Sequence, residues 1–188
     1  MPNMKETFAK QLMELLEKEP LEKISVKDLI SACGVSRQSF YYYFSDIYDI
    51  VEWIFTEEAD KVLRDYSDIE SWEFGYVLMM KWGLNHRALV QNTYNSIRRD
   101  YVEFFMNRVL YSYIIKVVED AAVGMNVTND QKEFIAKFYT LAINAISLEW
   151  IREGLKEEPE AIARKVNLLI KGDFQKALRS FEQENSKT

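Results

Sequence analysis

Ser25-Val26-Lys27-Asp28-Leu29-Ile30-Ser31-Ala32-Cys33-Gly34-Val35-Ser36-Arg37-Gln38-Ser39-Phe40-Tyr41-Tyr42-Tyr43-Phe44 holds two helix starts and one helix stop in a single short run. Ser25 sits where an N-cap belongs, three residues before Asp28, and Val26, Leu29, Ile30 and Cys33 give the helix that follows one apolar face. Gly34 stops that helix. After Val35 alone, Ser36 supplies a second N-cap for a helix running from Arg37 to Phe44. Phe40 and Phe44 share its buried face by their i, i+4 spacing, and Phe40, Tyr41 and Phe44 are assigned to the core. Two short helices joined by a turn that contains glycine form the helix-turn-helix pattern.

Upstream, Phe8, Leu12, Leu15 and Leu16 make the stripe of an amphipathic helix that Pro20 ends. This first helix can pack across the pair to complete a small core. Downstream, Ser45 and Asp46 cap a helix reaching about Asp65, and a polar stretch around Ser67 to Ser71 follows. Next come helical segments over Trp72 to Asn85, near Arg87 to Ser96, and from Asp100 to Val123. Gly124 to Asn129 breaks the pattern. Thr128 and Gln131 read as a capping box for a helix that ends at Gly154, with Leu155 as the apolar contact of a Schellman stop. Pro159 opens the last helix, whose stripe from Ile162 to Phe181 is interrupted only by Gly172, a point of bending. The expected architecture is all-α, with about nine helices. A three-helix N-terminal module with the helix-turn-helix spans residues 1–50, and a larger helical domain spans 51–188.

Composition constrains function. The 188 residues are 48 % hydrophobic and 29 % charged, with six Gly and three Pro, which suits a compact helical protein. The formal net charge of -6 speaks against a nucleic-acid binder, because such binding uses Lys and Arg against phosphates. The first fifty residues do not escape this, with six Lys/Arg against eight Asp/Glu. Yet no acid lies between Asp28 and Asp46, where Arg37 stands among Ser, Gln and Tyr donors. Cys33, the only cysteine, reads as a small buried packing residue. The N-terminus lacks a basic-then-apolar signal, and no apolar run approaches the ~18 residues of a membrane span. A cytoplasmic location with no membrane partner is expected. His86 is the sole histidine, so no metal site is expected. With no Gly-rich phosphate loop, nucleophile elbow or Cys/His cluster, neither catalysis nor a cofactor is expected.

With these residues laid out, Gly34 to Phe44 resembles the signature of the TetR/AcrR family of bacterial transcriptional regulators, over roughly Phe8 to Ile54. The turn Gly, the Ser cap, the Phe-Tyr pair and the closing Tyr-Phe carry the match. The resemblance implies a homodimer that places two recognition helices in successive major grooves of a palindromic operator in double-stranded DNA. It makes the helix from Arg37 the reader: Arg37 for a guanine edge, Gln38 for adenine, and Tyr42 for a thymine methyl or a phosphate. Ser25, Lys27, Ser36 and Tyr43 suit phosphate oxygens, and Ser39 lies among them. Family members usually carry a lysine three residues past the closing Phe. Here that residue is Ile47, which removes one backbone contact. Within the family, Trp72 to Asn85 and Asn144 to Gly154 resemble regulators of dihydroxyacetone kinase operons, implying control of a metabolic operon with a partner protein in place of a small ligand.

The same resemblance implies a four-helix interface between subunits. Phe138 to Trp150 is apolar on most of its circumference and needs a second partner beyond its own core. Phe138, Ala142, Ala145, Ile146, Val166, Ile170 and Phe174 are the candidate contacts. For the effector, Trp72, Trp82, His86, Tyr94, Tyr101 and Phe105 either line a pocket or pack as core. Arg37, Gln38 and Tyr42 likewise have a plain alternative as a solvated helix face. The competing function is a helical protein-interaction module that keeps the fold and binds DNA weakly or not at all.

Overall fold

Helices begin where a side chain can satisfy their first free N–H groups. In the computed structural model, which describes residues 3–63, 65–66, 68, 70–170 and 172–187, the ten α-helices found are α1 (Met4–Leu16), α2 (Val26–Cys33), α3 (Arg37–Tyr43), α4 (Ile47–Leu63), α5 (Trp72–Asn85), α6 (Arg87–Tyr94), α7 (Arg99–Ala121), α8 (Asn129–Arg152), α9 (Pro159–Ile170) and α10 (Asp173–Asn185). A 3-10 turn at Leu21–Lys23 is the remaining helical piece, and no strand occurs among the described residues. Ser25 and Asp28 form a full capping box at α2, as Thr128 and Gln131 do at α8. Asp46 accepts the Asp49 N–H at 2.9 Å to start α4. Ser67, at the head of the polar stretch, lies outside the described residues.

The stops follow backbone chemistry. Gly34 takes φ +66°, and the Val35 N–H returns to the Ile30 carbonyl at 3.1 Å. At the end of α8 the Leu155 N–H reaches the Trp150 carbonyl at 2.9 Å, the Schellman bond, with Leu155 buried beneath it. α1 stops at Leu16, short of Pro20, because the Lys18 and Glu19 N–H groups both turn back to the Leu15 carbonyl. At Gly172 the expected bend is a break: φ +82° leaves the right-handed region, so the last apolar stripe is split between α9 and α10.

Packing joins these pieces. Phe8 of α1, fully buried, meets Phe40 edge to face at 5.5 Å and Phe44 at 6.1 Å, which locks α3 under α1. Tyr41 departs from the expected core. It is 49 % exposed, because it lies a third of a helical turn from Phe40, and its ring turns to Arg37 one turn back. Cys33 is half-buried at the edge of this core, and burial pushes its thiol pKa up. α4 leaves the module through Ile50 and Val51, both fully buried, and packs on α5 and α7. α7 and α8 form the most extensive helix pair, with α10 along them and α9 against α5. α5 comes so close to α7 that a Cβ on Gly75 would collide with the Tyr113 hydroxyl.

α8 also corrects an expectation. By length and composition alone it is apolar enough to cross a membrane, although 44 % of its apolar window is buried inside the protein.

Candidate nucleic-acid interface and helical cavity

α3 is short, and its two sides differ completely. Phe40 is wholly buried and Phe44, its C-cap, 4 % exposed, while Tyr42 is 81 % exposed and Arg37 and Gln38 share the open side. Ser36 caps the helix by accepting the Ser39 N–H at 3.1 Å, which leaves its hydroxyl proton free to donate outward. Arg37 donates to the Tyr41 hydroxyl at 3.3 Å and lies 5.6 Å from that ring, so its guanidinium is held rather than freely rotating. Tyr43 is half-buried, its ring 6.4 Å from that of Phe8 and 4.8 Å from that of Tyr42. Lys27 is exposed on α2. The Ser25 hydroxyl is engaged with Asp28 on both sides, accepting the backbone N–H and facing the carboxylate. The bonds from Ser25 hold the Asp28 carboxyl below the usual range. Ile47, in place of the family's lysine, is 7 % exposed, so the side chain that could have met a phosphate works in the core instead.

A cavity of about 120 Å³ lies between α4, α5, α7 and α8. Of the six residues that the sequence offers either for a pocket or for core, Trp82 and Phe105 line it. The other four pocket candidates lie elsewhere. Trp72 is buried edge-on to Phe174, and His86 donates through Nδ1 to the Trp82 carbonyl at 2.9 Å from the junction of α5 and α6. Tyr94 is buried under the Arg99 guanidinium, and Tyr101 donates its hydroxyl to Glu52. Besides the Tyr113 hydroxyl, the side-chain hydroxyls and amides at the cavity are those of Asn144, Ser147 and Tyr76, none of them among the six named candidates. All three sit within apolar helical stripes, where only packing reveals which way a polar residue turns. The Tyr76 hydroxyl donates to Ser147 Oγ at 2.9 Å, and Ser147 donates onward to the Ile143 carbonyl at 2.9 Å. Burial pushes the Tyr76 pKa up to about 12, so its hydroxyl stays protonated. No group of three or more His, Cys, Asp or Glu is placed to hold a metal among the described residues.

A third surface runs along α8. Phe138 is 61 % exposed and Ile146 37 %, with Ala142 and Ala145 open between them. Phe134 and Leu141 extend this stripe, and Leu168 and Leu169 of α9 are each 73 % exposed. Ile170 is half-buried, whereas Val166 and Phe174 are buried in the chain's own core, Phe174 against Tyr139 and Trp72.

Known proteins agree with this arrangement at both ends of the chain. The family profile described as bacterial regulatory proteins, tetR family, matches residues 10–54, and that described as transcriptional regulator C-terminal region matches residues 70–172. The HTH-type dhaKLM operon transcriptional activator DhaS of Lactococcus lactis is 26 % identical over 165 residues, covering 87 % of each protein. The uncharacterized HTH-type transcriptional regulator YxbF of Bacillus subtilis is 27 % identical over 176 residues, which are 90 % of this chain and 46 % of that protein. Among solved structures, the dihydroxyacetone kinase operon activator DhaS superposes with a TM-score of 0.69 at 22 % identity, covering 94 % of this chain and 97 % of that one. The repressor AlkX from a Dietzia strain superposes at 0.59 and 18 % identity, covering 92 % and 98 %. These likenesses share the all-helical fold, and with the two matched regions they establish that the chain belongs to the TetR family of bacterial transcriptional regulators and is not an enzyme.

Proposed function

We propose that this regulator works as a homodimer on a palindromic operator, and that an effector or partner acting on its C-terminal helices controls occupancy of the DNA. The N-terminal unit, residues 1–50, carries the DNA contacts, and residues 51–188 carry effector control and dimerisation. Arg37 and Gln38 meet base edges, Tyr42 a thymine methyl or a phosphate, and Lys27, Ser36, Ser39 and Tyr43 hold the backbone, while Ser25, offered for the same role, has both its donors on the Asp28 carboxylate. The observation that carries this reading is Tyr42. A ring 81 % exposed contributes little to folding, and on the open side of α3 it stands beside the Arg37 and Gln38 side chains. α4 links the two functions, since its first half packs in the DNA-binding core and Phe55, Ala59 and Val62 of its second half line the cavity. A shift of α4 alters the separation of the two α3 helices, which must match about 34–36 Å between half-sites. The Lactococcus relative is named for activating a kinase operon, and by that likeness the target is a small metabolic operon.

The test is selection from random duplex DNA at low salt, followed by binding of Arg37→Ala with Tyr42→Ala. A palindrome should emerge, and the double variant should lose it. Unchanged binding overturns the assigned reader. Failure to enrich any sequence favours the second reading, a helical interaction module, for which the -6 net charge is the supporting observation.

A further inference from the structure

We infer that the cavity takes an uncharged, largely apolar molecule about the size of one substituted ring, whose single hydroxyl or amide group is read by Asn144. The inference rests on the effector reading above and narrows it to a ligand class. Three observations support it. Asn144 is 7 % exposed and lines the cavity, and its side-chain amide makes no hydrogen bond among the described residues. An amide carries donors and acceptors that almost always find partners when buried, so a group entering the cavity with both a donor and an acceptor completes it. A hydroxyl or a carboxamide has that pair. A carboxylate has acceptors only, and an ammonium donors only.

Charge is the second consideration. Among the described residues no Lys, Arg, Asp or Glu lines the cavity, so an ion would enter without a counter-charge, at a large desolvation penalty. The hydroxyls already present do not compensate: Tyr76 and Ser147 form a closed relay ending on the Ile143 carbonyl, and the Tyr113 hydroxyl sits between the Tyr66 and Trp72 carbonyls at 2.6 and 2.7 Å. The third observation is size and wall. An apolar cavity of about 150 Å³ is known to accept benzene, and 120 Å³ is of that order. Met79, Met80 and Met106 on the wall can repack around a ring substituent.

The experiment uses four ligands with one ring and different heads: toluene, benzyl alcohol, benzylammonium and benzoate. Binding to the full chain at neutral pH is read by thermal shift and by quenching of Trp82 and Trp150, which both face the cavity. Benzyl alcohol should bind best, toluene several-fold more weakly, and the two ions not at all over the same range. In Asn144→Leu, which keeps the branched shape and removes the amide, benzyl alcohol should weaken about fivefold to tenfold while toluene holds or improves. Val109→Trp, which fills the cavity, should abolish both. Equal binding of either ion, an unchanged ratio in Asn144→Leu, or no binding by any of the four overturns the inference. Operator affinity measured with each ligand separates this from the effector reading. Ligands that bind without changing DNA affinity refute effector control and leave the ligand class intact. Ions that change it refute the class and leave effector control intact.

Discussion

Asp28 does two things at the start of α2. Its carboxylate accepts the Ser25 N–H at 2.9 Å, and its own N–H is accepted by the Ser25 hydroxyl. The carboxylate also accepts the Ser25 hydroxyl proton, and these two donations from Ser25, the hydroxyl's first and the N–H's second, favour the ionised form and lower its pKa in the folded chain. A folded value below the unfolded one means that the contribution is complete at neutral pH. It is lost as pH falls from about 4, the unfolded value, through the lower folded value. The melting temperature of Asp28→Asn should therefore lie below that of the native chain at pH 7, and the two should converge in acid. A gap that stays constant from pH 7 to pH 2 would sink this account. Such caps were legible from sequence because donor and acceptor lie within three residues of each other, and the same holds for Ser36, Thr128 and the stop at Gly34. Ile47 and Asn144 were not assignable in this way. Whether an apolar residue at a helix start is buried, or an amide faces a cavity, depends on helices far away in the chain.

Between elements, the corner where α6 meets α7 is bolted to the DNA-binding helices by polar contacts. Glu52 of α4, its side chain 18 % exposed, takes both Arg108 and the Tyr101 hydroxyl of α7. Arg98 pairs with Asp46 at 2.9 Å while its guanidinium lies over the rings of Tyr48 and Tyr101 at 4.8 and 4.7 Å. Glu22 accepts the Ile97 N–H, and Asn92 reaches the Leu16 carbonyl. Tyr101, offered from the sequence for a pocket or for core, belongs to this clamp. Its partner Glu52 is 49 positions away, and no local pattern links the two. Most helix extents, by contrast, followed from spacing and caps; α1 stopped short of Pro20, and the consequence of Gly172 differed, since a bend and a break share one glycine. Because α4 runs from this clamp to the cavity wall, Glu52→Gln tests whether the clamp transmits. It keeps the shape, removes the charge facing Arg108, and should cost about 1–2 kcal/mol, discounted because Arg108 is more than half exposed. Urea unfolding measures that loss. The ratio of operator affinities with and without benzyl alcohol should fall toward one. A stability loss with the ratio intact would make the clamp a structural brace only.

At the scale of the whole molecule, the exposed stripe on α8 is the feature a single chain leaves unexplained. Phe134, Phe138, Leu141 and Ile146 recur at helical spacing, and Leu168 and Leu169 of α9 add two nearly free leucines. A contiguous exposed apolar surface of this kind marks an interaction site, and a self-complementary one closes as a two-fold dimer. The sequence indicated the stripe through its apolar circumference. It could not say that Val166 and Phe174 turn inward while Leu168 and Leu169 turn out, because both pairs fit an amphipathic α9–α10 pattern. Phe138→Glu combined with Leu169→Glu places two charges on this surface without touching a buried residue. The native protein should sediment with the mass of two chains, and the variant should keep its helical circular dichroism and its melting cooperativity but sediment with the mass of one. Losing the dimer converts two linked half-site contacts into one. Avidity lost on that change is about a hundredfold or more, and the deficit of positive charge in the first fifty residues leaves a single α3 little to hold on with. Operator affinity should therefore collapse, while the thermal shift with benzyl alcohol persists, since none of the residues lining the cavity is changed. A variant that stays dimeric would move the interface off α8 and α9. A monomer that binds the operator as tightly as the native protein would show instead that one recognition helix suffices.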